Sequence, residues 1–447
     1  MFRKILIANR GEIAVRIIRA CREMNIRTVA VYSEADRDAL HTQLADESIC
    51  IGPAQPSESY LNMERIISTA ITVGADAIHP GFGFLSENPR FVELCEKYQI
   101  VFIGPSSELI QKMGNKSEAK NTMKQAGIPI VPGTEEPVYL AEEALKEAEQ
   151  IGFPIMIKAA SGGGGKGMRI ARDEEEFSPQ FHIAQEESLN AFGDDTMYLE
   201  RYIQDPRHVE VQIMADQYGN VVHLGERDCS IQRRHQKMIE ESPCPALSLE
   251  MRKVMSDTAV CAAKAVGYEN AGTIEFLLDK SGEFFFMEMN TRIQVEHPVS
   301  EMVSGFDLIR EQIRVAQGMR LSVEQADITL RGHAIECRIN AEDPVHNFMP
   351  CPGTIENLHL PGGNGVRMDS AVYKGYSIPP FYDSMIAKII VHDRDRESAV
   401  KKMISTLEEL KIDGIQTNLD FQYDILNHPD FQNGKFTTDF ISSHYGM

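Results

Sequence analysis

Cysteine is sparse and scattered along the chain. The eight residues, Cys21, Cys50, Cys95, Cys229, Cys244, Cys261, Cys337 and Cys351, form no Cys-x-x-Cys pair. Neither a disulfide framework nor a zinc knuckle is indicated, and a reducing cytoplasm is the expected setting. Positive charge is also in deficit: 45 Lys and Arg stand against 66 Asp and Glu, a formal net charge of -21. That balance opposes the basic surface which sequence-independent binding to nucleic acid or anionic lipid requires. Any anionic substrate must be met by local cations. Nowhere do about 18 apolar residues follow one another. The N-terminus offers only Ile5-Leu6-Ile7-Ala8 between charged residues, so neither a membrane span nor a signal peptide is expected. Internal repeats and low-complexity segments are lacking as well.

What is present is enough apolar material for more than one core. With 447 residues and 43% hydrophobic content, two or three domains are expected. The opening reads as a strand from Lys4 to Ala8, an amphipathic helix from Glu12 to Met24 and a strand from Thr28 to Tyr32. Further alternation through Ala77-Ile78-His79 and Val101-Phe102-Ile103 implies a doubly wound parallel sheet ending near Gly114. From Pro129 a connector leads to a helix over Leu140 to Gln150 and a strand over Pro154 to Ala159, the texture of a small inserted lobe. After Gly318 short strands are expected, including Ala334 to Ile339 and Met385 to Val391. A last helix, Glu397 to Leu410, precedes what reads as a polar tail.

Gly162, Gly164 and Gly167 satisfy the spacing GxGxxG, but Met168-Arg169-Ile170-Ala171 after them alternates like a strand, whereas a dinucleotide fingerprint opens a helix. A P-loop is excluded because Lys166 is followed by Gly167. What remains is a strand–loop–strand flap with Lys158 and Lys166 at its shoulders, able to lay backbone N–H groups over phosphates. A mobile surface hairpin is the plain alternative.

The stretch from Thr273 to His297 is the most informative. It reads as a hairpin turning at Ser281-Gly282, with Lys280 opposite Glu283 and, in that register, Glu275 opposite Glu288. Facing carboxylates repel unless a cation lies between them, and Mg²⁺ is a hard cation that takes one or two carboxylates along with substrate phosphates. Period two continues Glu288 into Asn290, Arg292, Gln294 and Glu296 on one face. That face offers a metal-type pair, a cation and an amide suited to a small oxyanion, and a carboxylate suited to act as base. The bland reading is the solvated face of an edge strand. Arg227 to Lys237 is a basic cluster in an acidic chain. By composition it reads as a salt-bridged surface, although a triphosphate or bicarbonate needs the same charge. His208 and His235 have no partner at metal-ligand spacing, Cys229 reads as packing, and Lys116 and Arg338 carry no signal alone.

Taken together, the chain resembles the biotin carboxylase family of the ATP-grasp superfamily. The match runs through Asn9-Arg10-Gly11-Glu12-Ile13-Ala14, His79-Pro80-Gly81-Phe82-Gly83, the loop Ser161 to Gly167, the basic cluster, Glu288 to His297, and Glu336-Cys337-Arg338. The resemblance implies an α/β chain with a Rossmann-like domain over 1–114, an ATP-grasp domain over 115–330 with a mobile glycine-loop lid lobe at about 131–203, and a mainly β C-terminal domain over 331–447. It implies that Lys116, Lys158, Gly164, Gly165, Met168, Glu200, Arg201, Tyr202, Ile203, His208, Gln232, His235 and Leu277 surround ATP. Glu275, Glu288 and Asn290 become Mg²⁺ ligands for two ions, with Mn²⁺ as a substitute. Lys237, Arg292, Gln294 and the Val295 backbone become a bicarbonate cradle, Glu296 the base, and Arg338 the group that holds enolised biotin. Asn115 stands where the family often has Asp.

The implied reaction is ATP-dependent carboxylation of biotin through carboxyphosphate. No Met-Lys-Met biotin-attachment motif occurs, and the chain ends at Met447. Biotin is therefore expected on a separate carrier protein, with separate carboxyltransferase subunits, in acetyl-CoA carboxylase and fatty-acid synthesis. A homodimer is expected from the family. Subunits serving propionyl-CoA or pyruvate, or another ATP-grasp ligase with an amine acceptor, are the alternatives. A non-catalytic nucleotide-binding regulator and a nicotinamide oxidoreductase fit the residues less well.

Overall fold

The structure, a computed structural model, describes residues 1–159, 168–192 and 194–446. It resolves into two compact units. The first comprises Met1–Ile128, Arg207–Phe276 and Glu288–Met447, and the second Pro129–Pro206 with Leu277–Met287.

The first unit opens with five parallel strands, β1 (Lys4–Ile7), β2 (Arg27–Ser33), β3 (Glu47–Gly52), β4 (Ala77–His79) and β5 (Val101–Phe102), in the order β3-β2-β1-β4-β5. Alternation divides β1 between two cores. Ile5 and Ile7 pack with Ile13 and Ile17 of the helix Gly11–Glu23, whereas Leu6 joins Val29, Val31 and Ile78. A strand apolar on both faces is what a covered parallel sheet requires. Two of the motifs noted above meet beyond the ends of β1 and β4. Asn9 Nδ2 donates to the carbonyls of Pro80 and Phe82 at 2.6 and 2.7 Å. Gly81 has φ +64°, and a Cβ there would lie 2.9 Å from that same Asn9 nitrogen, so glycine answers to both conformation and space.

The second unit is a three-stranded antiparallel sheet of β6 (Ile155–Ala159), β7 (Met168–Ala171) and β8 (Met197–Arg201), with β6 central. Lys158 pairs with Met168 across β6 and β7, so strands flank the glycine loop on both sides, as the alternation predicts. The loop glycines Gly164 and Gly165, with Lys166, lie outside the described residues. Helices Ala141–Ile151 and Glu174–Phe192 supply this unit's core with Ala144, Ala148, Phe177 and Phe181.

The largest sheet has eight strands: β9 (Arg207–Ala215), β10 (Val221–Arg233), β11 (Gln236–Ser242), β12 (Asn270–Leu278), β13 (Phe284–Asn290), β14 (His333–Asn340), β15 (Val366–Ser370) and β16 (Met385–Asp393). Their order is β13-β12-β9-β10-β11-β14-β16-β15. In β14 the odd residues Ile335, Cys337 and Ile339 enter a large apolar cluster, leaving Glu336 and Arg338 to the other face. Among the described residues, no helix is long and apolar enough to cross a membrane.

One expectation fails at the C-terminus. The segment after the helix Arg396–Glu409 is not a polar tail: it forms the helices Leu419–Asn427, Pro429–Gln432 and Phe440–Tyr445. Their Phe421, Ile425, Leu426, Phe431, Phe440 and Ile441 are buried in the β14 cluster. The apolar residues are outnumbered by polar ones, but they recur at helical spacing, and that spacing governs burial. Phe431 is 1% exposed and stacks on Phe436 at 5.3 Å. Phe431→Ala is expected to cost about 3–5 kcal/mol in urea denaturation; a loss below about 1 kcal/mol would detach this segment from the core.

Candidate active site

Strands β9, β10, β11, β12 and β14 and the segment that follows β13 converge on a buried set of acids and bases. β13 ends at Asn290. The period-two reading therefore fails beyond that residue: Arg292 and Gln294 lie in a connection, and Glu296 is the N-cap of the helix His297–Ser304, with Pro298 in its first turn. Proline lacks an N–H and presets φ, so it favours the start of a helix over continuation of a strand. The side chains still meet, by a bend instead of a shared strand face.

The hairpin turn also differs from the expected one. Asp279 N–H donates to the Glu283 carbonyl at 2.8 Å, and Gly282 N–H to the Asp279 carbonyl at 3.2 Å. Lys280, Ser281 and Gly282 thus form a three-residue turn, with Gly282 at φ 90° and the Asp279 carboxylate accepting from Ser281 and Glu283 N–H. An aspartate that collects backbone donors competes with the two-residue turn. At the turn, Asp279 and not Lys280 is the residue bonded to Glu283. Glu275 and Glu288 nonetheless face the same charge environment: burial and then the Glu275 charge raise Glu288, while Lys116 pulls it down.

Lys237 is the cation at the centre. Its Nζ lies 2.6 Å from Glu210, 3.1 Å from Glu275 and 2.6 Å from Glu296. Burial works against the ammonium, but the three carboxylates outweigh it and hold Lys237 well above the usual lysine range. Glu275 is ringed by donors. Asn290 Nδ2 and Gln294 Nε2 each donate to its Oε1 at 2.7 Å, and His208 Nε2 lies 2.8 Å from Oε2. Burial opposes its charge, yet Lys237 and His208 keep Glu275 well below the carboxylate range. Sequence spacing gave His208 no such neighbour; pairing of β9 within the sheet supplies it.

Glu296 is 2% exposed and bridges two cations, Lys237 at 2.6 Å and Arg338 Nη2 at 2.9 Å. Burial raises it, but Lys237 leads the cations that lower it below its ordinary value. Arg338 is held a second time, by Nε donating to Glu240 at 2.6 Å. Arg292 reaches Asn290 Oδ1 at 3.0 Å and Glu87 at 2.9 Å. The Val295 carbonyl accepts from Lys388 at 2.6 Å.

The basic cluster is split by the fold. Arg227, expected at a solvated surface, is completely buried: its guanidinium donates to Glu210 (2.6 Å), Gln212 (2.6 Å), Ser300 (3.1 Å), Thr273 (3.1 Å) and Gln294 (2.6 Å). β10 passes through the middle of the large sheet, so its arginine has only protein acceptors to satisfy it. The turn at the far end is exposed, with Arg234 and His235 at its tip and Gln232 paired with Lys237 across it. Cys229 is buried, as expected of a packing residue.

The remaining predicted residues take separate places. Lys116 is exposed in the first turn of the helix Lys116–Gln125, where Asn115 accepts from the Ser117 and Glu118 N–H groups at 3.1 and 3.2 Å. Asn and Asp cap helices about equally well, so the departure at Asn115 leaves the presentation of Lys116 intact. In the second unit, Lys158 is ion-paired with Glu200. Arg201 reaches Glu283 at 3.2 Å and lies over Phe285, Tyr202 N–H donates to the Pro154 carbonyl, Ile203 is buried, Leu277 is half-buried and Met168 is exposed. Glu87, Glu210, Glu240 and Lys388 were missed from sequence, and Arg227 and Glu336 were named only within longer motifs, with no role at the site. All but Glu87 are buried. Their meeting is set by strand pairing across the sheet and not by local sequence spacing.

Comparison with known proteins gives three matching families: biotin carboxylase, N-terminal domain, over residues 1–110; carbamoyl-phosphate synthase L chain, ATP binding domain, over 115–324; and biotin carboxylase C-terminal domain over 336–443. Biotin carboxylase 1 of Bacillus subtilis is 59% identical over 445 residues, 99% of each chain. The biotin carboxylase–βγ-ATP complex from Campylobacter jejuni is 53% identical, with a TM-score of 0.91 over 99% of both chains. The biotin carboxylase domain dimer of Hydrogenobacter thermophilus 2-oxoglutarate carboxylase, with MgADP, ADP and bicarbonate, is 50% identical, with a TM-score of 0.89 over 99% of this chain and 98% of that one.

Arg227→Met is expected to destabilise the protein by about 3–5 kcal/mol, because Glu210 would be left without its buried guanidinium partner. Arg227→Lys should rescue little of that loss, since one ammonium cannot span acceptors on so many elements. Urea denaturation of the three proteins checks both statements, and near-wild-type stability of either variant counts against them.

Proposed function

The chain belongs to the biotin carboxylase family and has its ATP-grasp fold, and from this we propose that it cleaves MgATP to carboxylate carrier-bound biotin with bicarbonate. The observation that carries the proposal is Glu296, buried and ionised between Lys237 and Arg338 at 2.6 and 2.9 Å. A base must be in its anionic form, and these cations keep it so at neutral pH. Lys237, Arg292, Gln294 and the Val295 backbone are proposed to hold bicarbonate, from which Glu296 takes the proton. Bicarbonate oxygen then attacks the γ-phosphoryl group of ATP, ADP leaves, and carboxyphosphate forms.

Carboxyphosphate breaks to CO₂ and phosphate. Phosphate accepts the proton from the biotin ureido nitrogen, and Arg338 stabilises the enolate that captures CO₂. Glu275, Glu288 and Asn290 suit Mg²⁺: burial and then the Glu275 charge raise Glu288, and a hard cation with oxygen ligands would relieve both. Mg²⁺, taken as two ions and replaceable by Mn²⁺, offsets charge on the nucleotide phosphates. Lys116, Lys158, Met168, Glu200, Arg201, Tyr202, Ile203, His208, Gln232, His235 and Leu277 are assigned to ATP, with Gly164 and Gly165 of the loop. The division at 1–114, 115–330 (lid lobe about 131–203) and 331–447 is proposed alongside, and the ranges of the three matching families support it.

A separate biotin carrier protein and carboxyltransferase subunits are the proposed partners, in the cytoplasm, and acetyl-CoA carboxylation is the proposed setting. The 2-oxoglutarate carboxylase relative keeps a different acceptor in view. A homodimer is proposed by analogy with the dimer of that relative. Purified protein with MgATP, labelled bicarbonate and free biotin should yield acid-labile carboxybiotin. Arg338→Gln should lower that yield about 100-fold, the size of effect seen when a charge-stabilising donor is removed. Bicarbonate-dependent ADP release without carboxybiotin in the wild type would move the acceptor elsewhere. Glu288→Gln should abolish Mg²⁺-dependent ADP release, and retained turnover would remove Glu288 from the metal site.

A further inference from the structure

A second pair of acids lies beside the catalytic set. Glu240 on β11 stands directly opposite Glu336 on β14, and both are completely buried. Glu240 accepts from Arg338 Nε at 2.6 Å through Oε1. Its Oε2 and both oxygens of Glu336 have no hydrogen-bond partner among the described residues. The charged groups facing the pair are Arg338, Lys237, Lys388 and Glu296. Lys237 is committed to Glu210, Glu275 and Glu296, and Lys388 to the Val295 carbonyl at 2.6 Å and Glu12 at 3.1 Å. Arg338 is thus the cation bonded to the pair, and it bonds one member. A buried anion without a hydrogen bond is far costlier than a neutral acid in the same place, and two anions across one ladder rung add repulsion.

We propose that Glu336 is carried as the neutral acid, that Glu240 alone bears the charge, and that Glu240 is a positioning residue which anchors Arg338 throughout the reaction. This rests on the reading that Arg338 serves biotin. Arg338 is bracketed by two acids, Glu296 at Nη2 and Glu240 at Nε. When Glu296 takes a proton from bicarbonate, its hold on the guanidinium weakens. Glu240 takes no part in that transfer and keeps the guanidinium aimed. A neutral Glu336 leaves the Glu240 charge to Arg338 undiluted. Burial raises both carboxyls above their ordinary range, Glu336 the further; Arg338 and Lys237 oppose the rise at Glu240, and Lys388 and Arg338 oppose it at Glu336. The folded chain therefore retains protons that the unfolded chain releases near the ordinary glutamate value. This favours the fold at low pH, and the advantage is lost as pH rises from that value through the raised ones.

Two measurements on the full chain decide the matter. Glu240→Gln should form carboxybiotin at least about tenfold more slowly than wild type, with KM for ATP within about twofold and less carboxybiotin per ADP released. Should that variant not fold, Glu240→Asp, which keeps the charge but withdraws it, carries the same comparison. Glu336→Gln, isosteric with the neutral acid, should melt above wild type by a margin that grows from about pH 5 to about pH 9. An unchanged carboxybiotin-to-ADP ratio in the Glu240 variants overturns the anchoring role. A melting difference that does not vary with pH overturns the neutral acid. If the wild type itself makes no carboxybiotin, the functional reading fails, and the melting arm still decides the state of Glu336.

Discussion

The site depends first on a guanidinium that no solvent reaches. Arg227 joins β9 through Glu210 and Gln212, β12 through Thr273, the connection after β13 through Gln294, and the helix His297–Ser304 through Ser300. Two of these partners go on to hold the groups assigned to chemistry. Glu210 meets Lys237, and Gln294 donates to Glu275. A planar cation with several fixed donors sets direction as well as charge, which a flexible ammonium cannot do. The positions of Lys237, Glu275 and Gln294 thus descend from one residue that touches no proposed substrate.

Around that anchor, charge is arranged so that each acid has a different load. Glu275 is saturated by Lys237, His208, Asn290 and Gln294 and is held well ionised. Glu288, half-buried beside the Glu275 charge, is pushed up. Glu296 is lowered and Glu336 raised, although both are buried. The difference lies in the neighbours, since burial alone would raise all four. Environments that separate the protonation of similar groups are how one cluster of carboxylates divides metal binding, base catalysis and positioning among its members.

Much of the fold was legible because it rests on periodicity. The parallel sheet, the strands around the glycine loop and β14 follow from apolar alternation and turn residues. The C-terminal helices were hidden by composition, since residues such as Phe421 and Ile425 are few among polar neighbours, and only their spacing shows a buried face. Within the site, Glu275, Glu288 and Asn290 could be read as a group because they share a hairpin, even though the turn has three residues. Arg227, Glu240 and Glu336 could not. Their meaning comes from pairings between β9, β10, β11 and β14, whose register no local pattern announces.

Around Glu296 the chain leaves the strand. It bends, and Glu296 becomes the N-cap of a helix whose first turn carries Pro298. Lys237 and Arg338 supply full charges from β11 and β14, while the Glu296 side chain makes no capping hydrogen bond to the helix. A carboxylate at 2% exposure stays ionised only if such terms together exceed the cost of its burial. The break in the strand is therefore part of what makes Glu296 usable as a base.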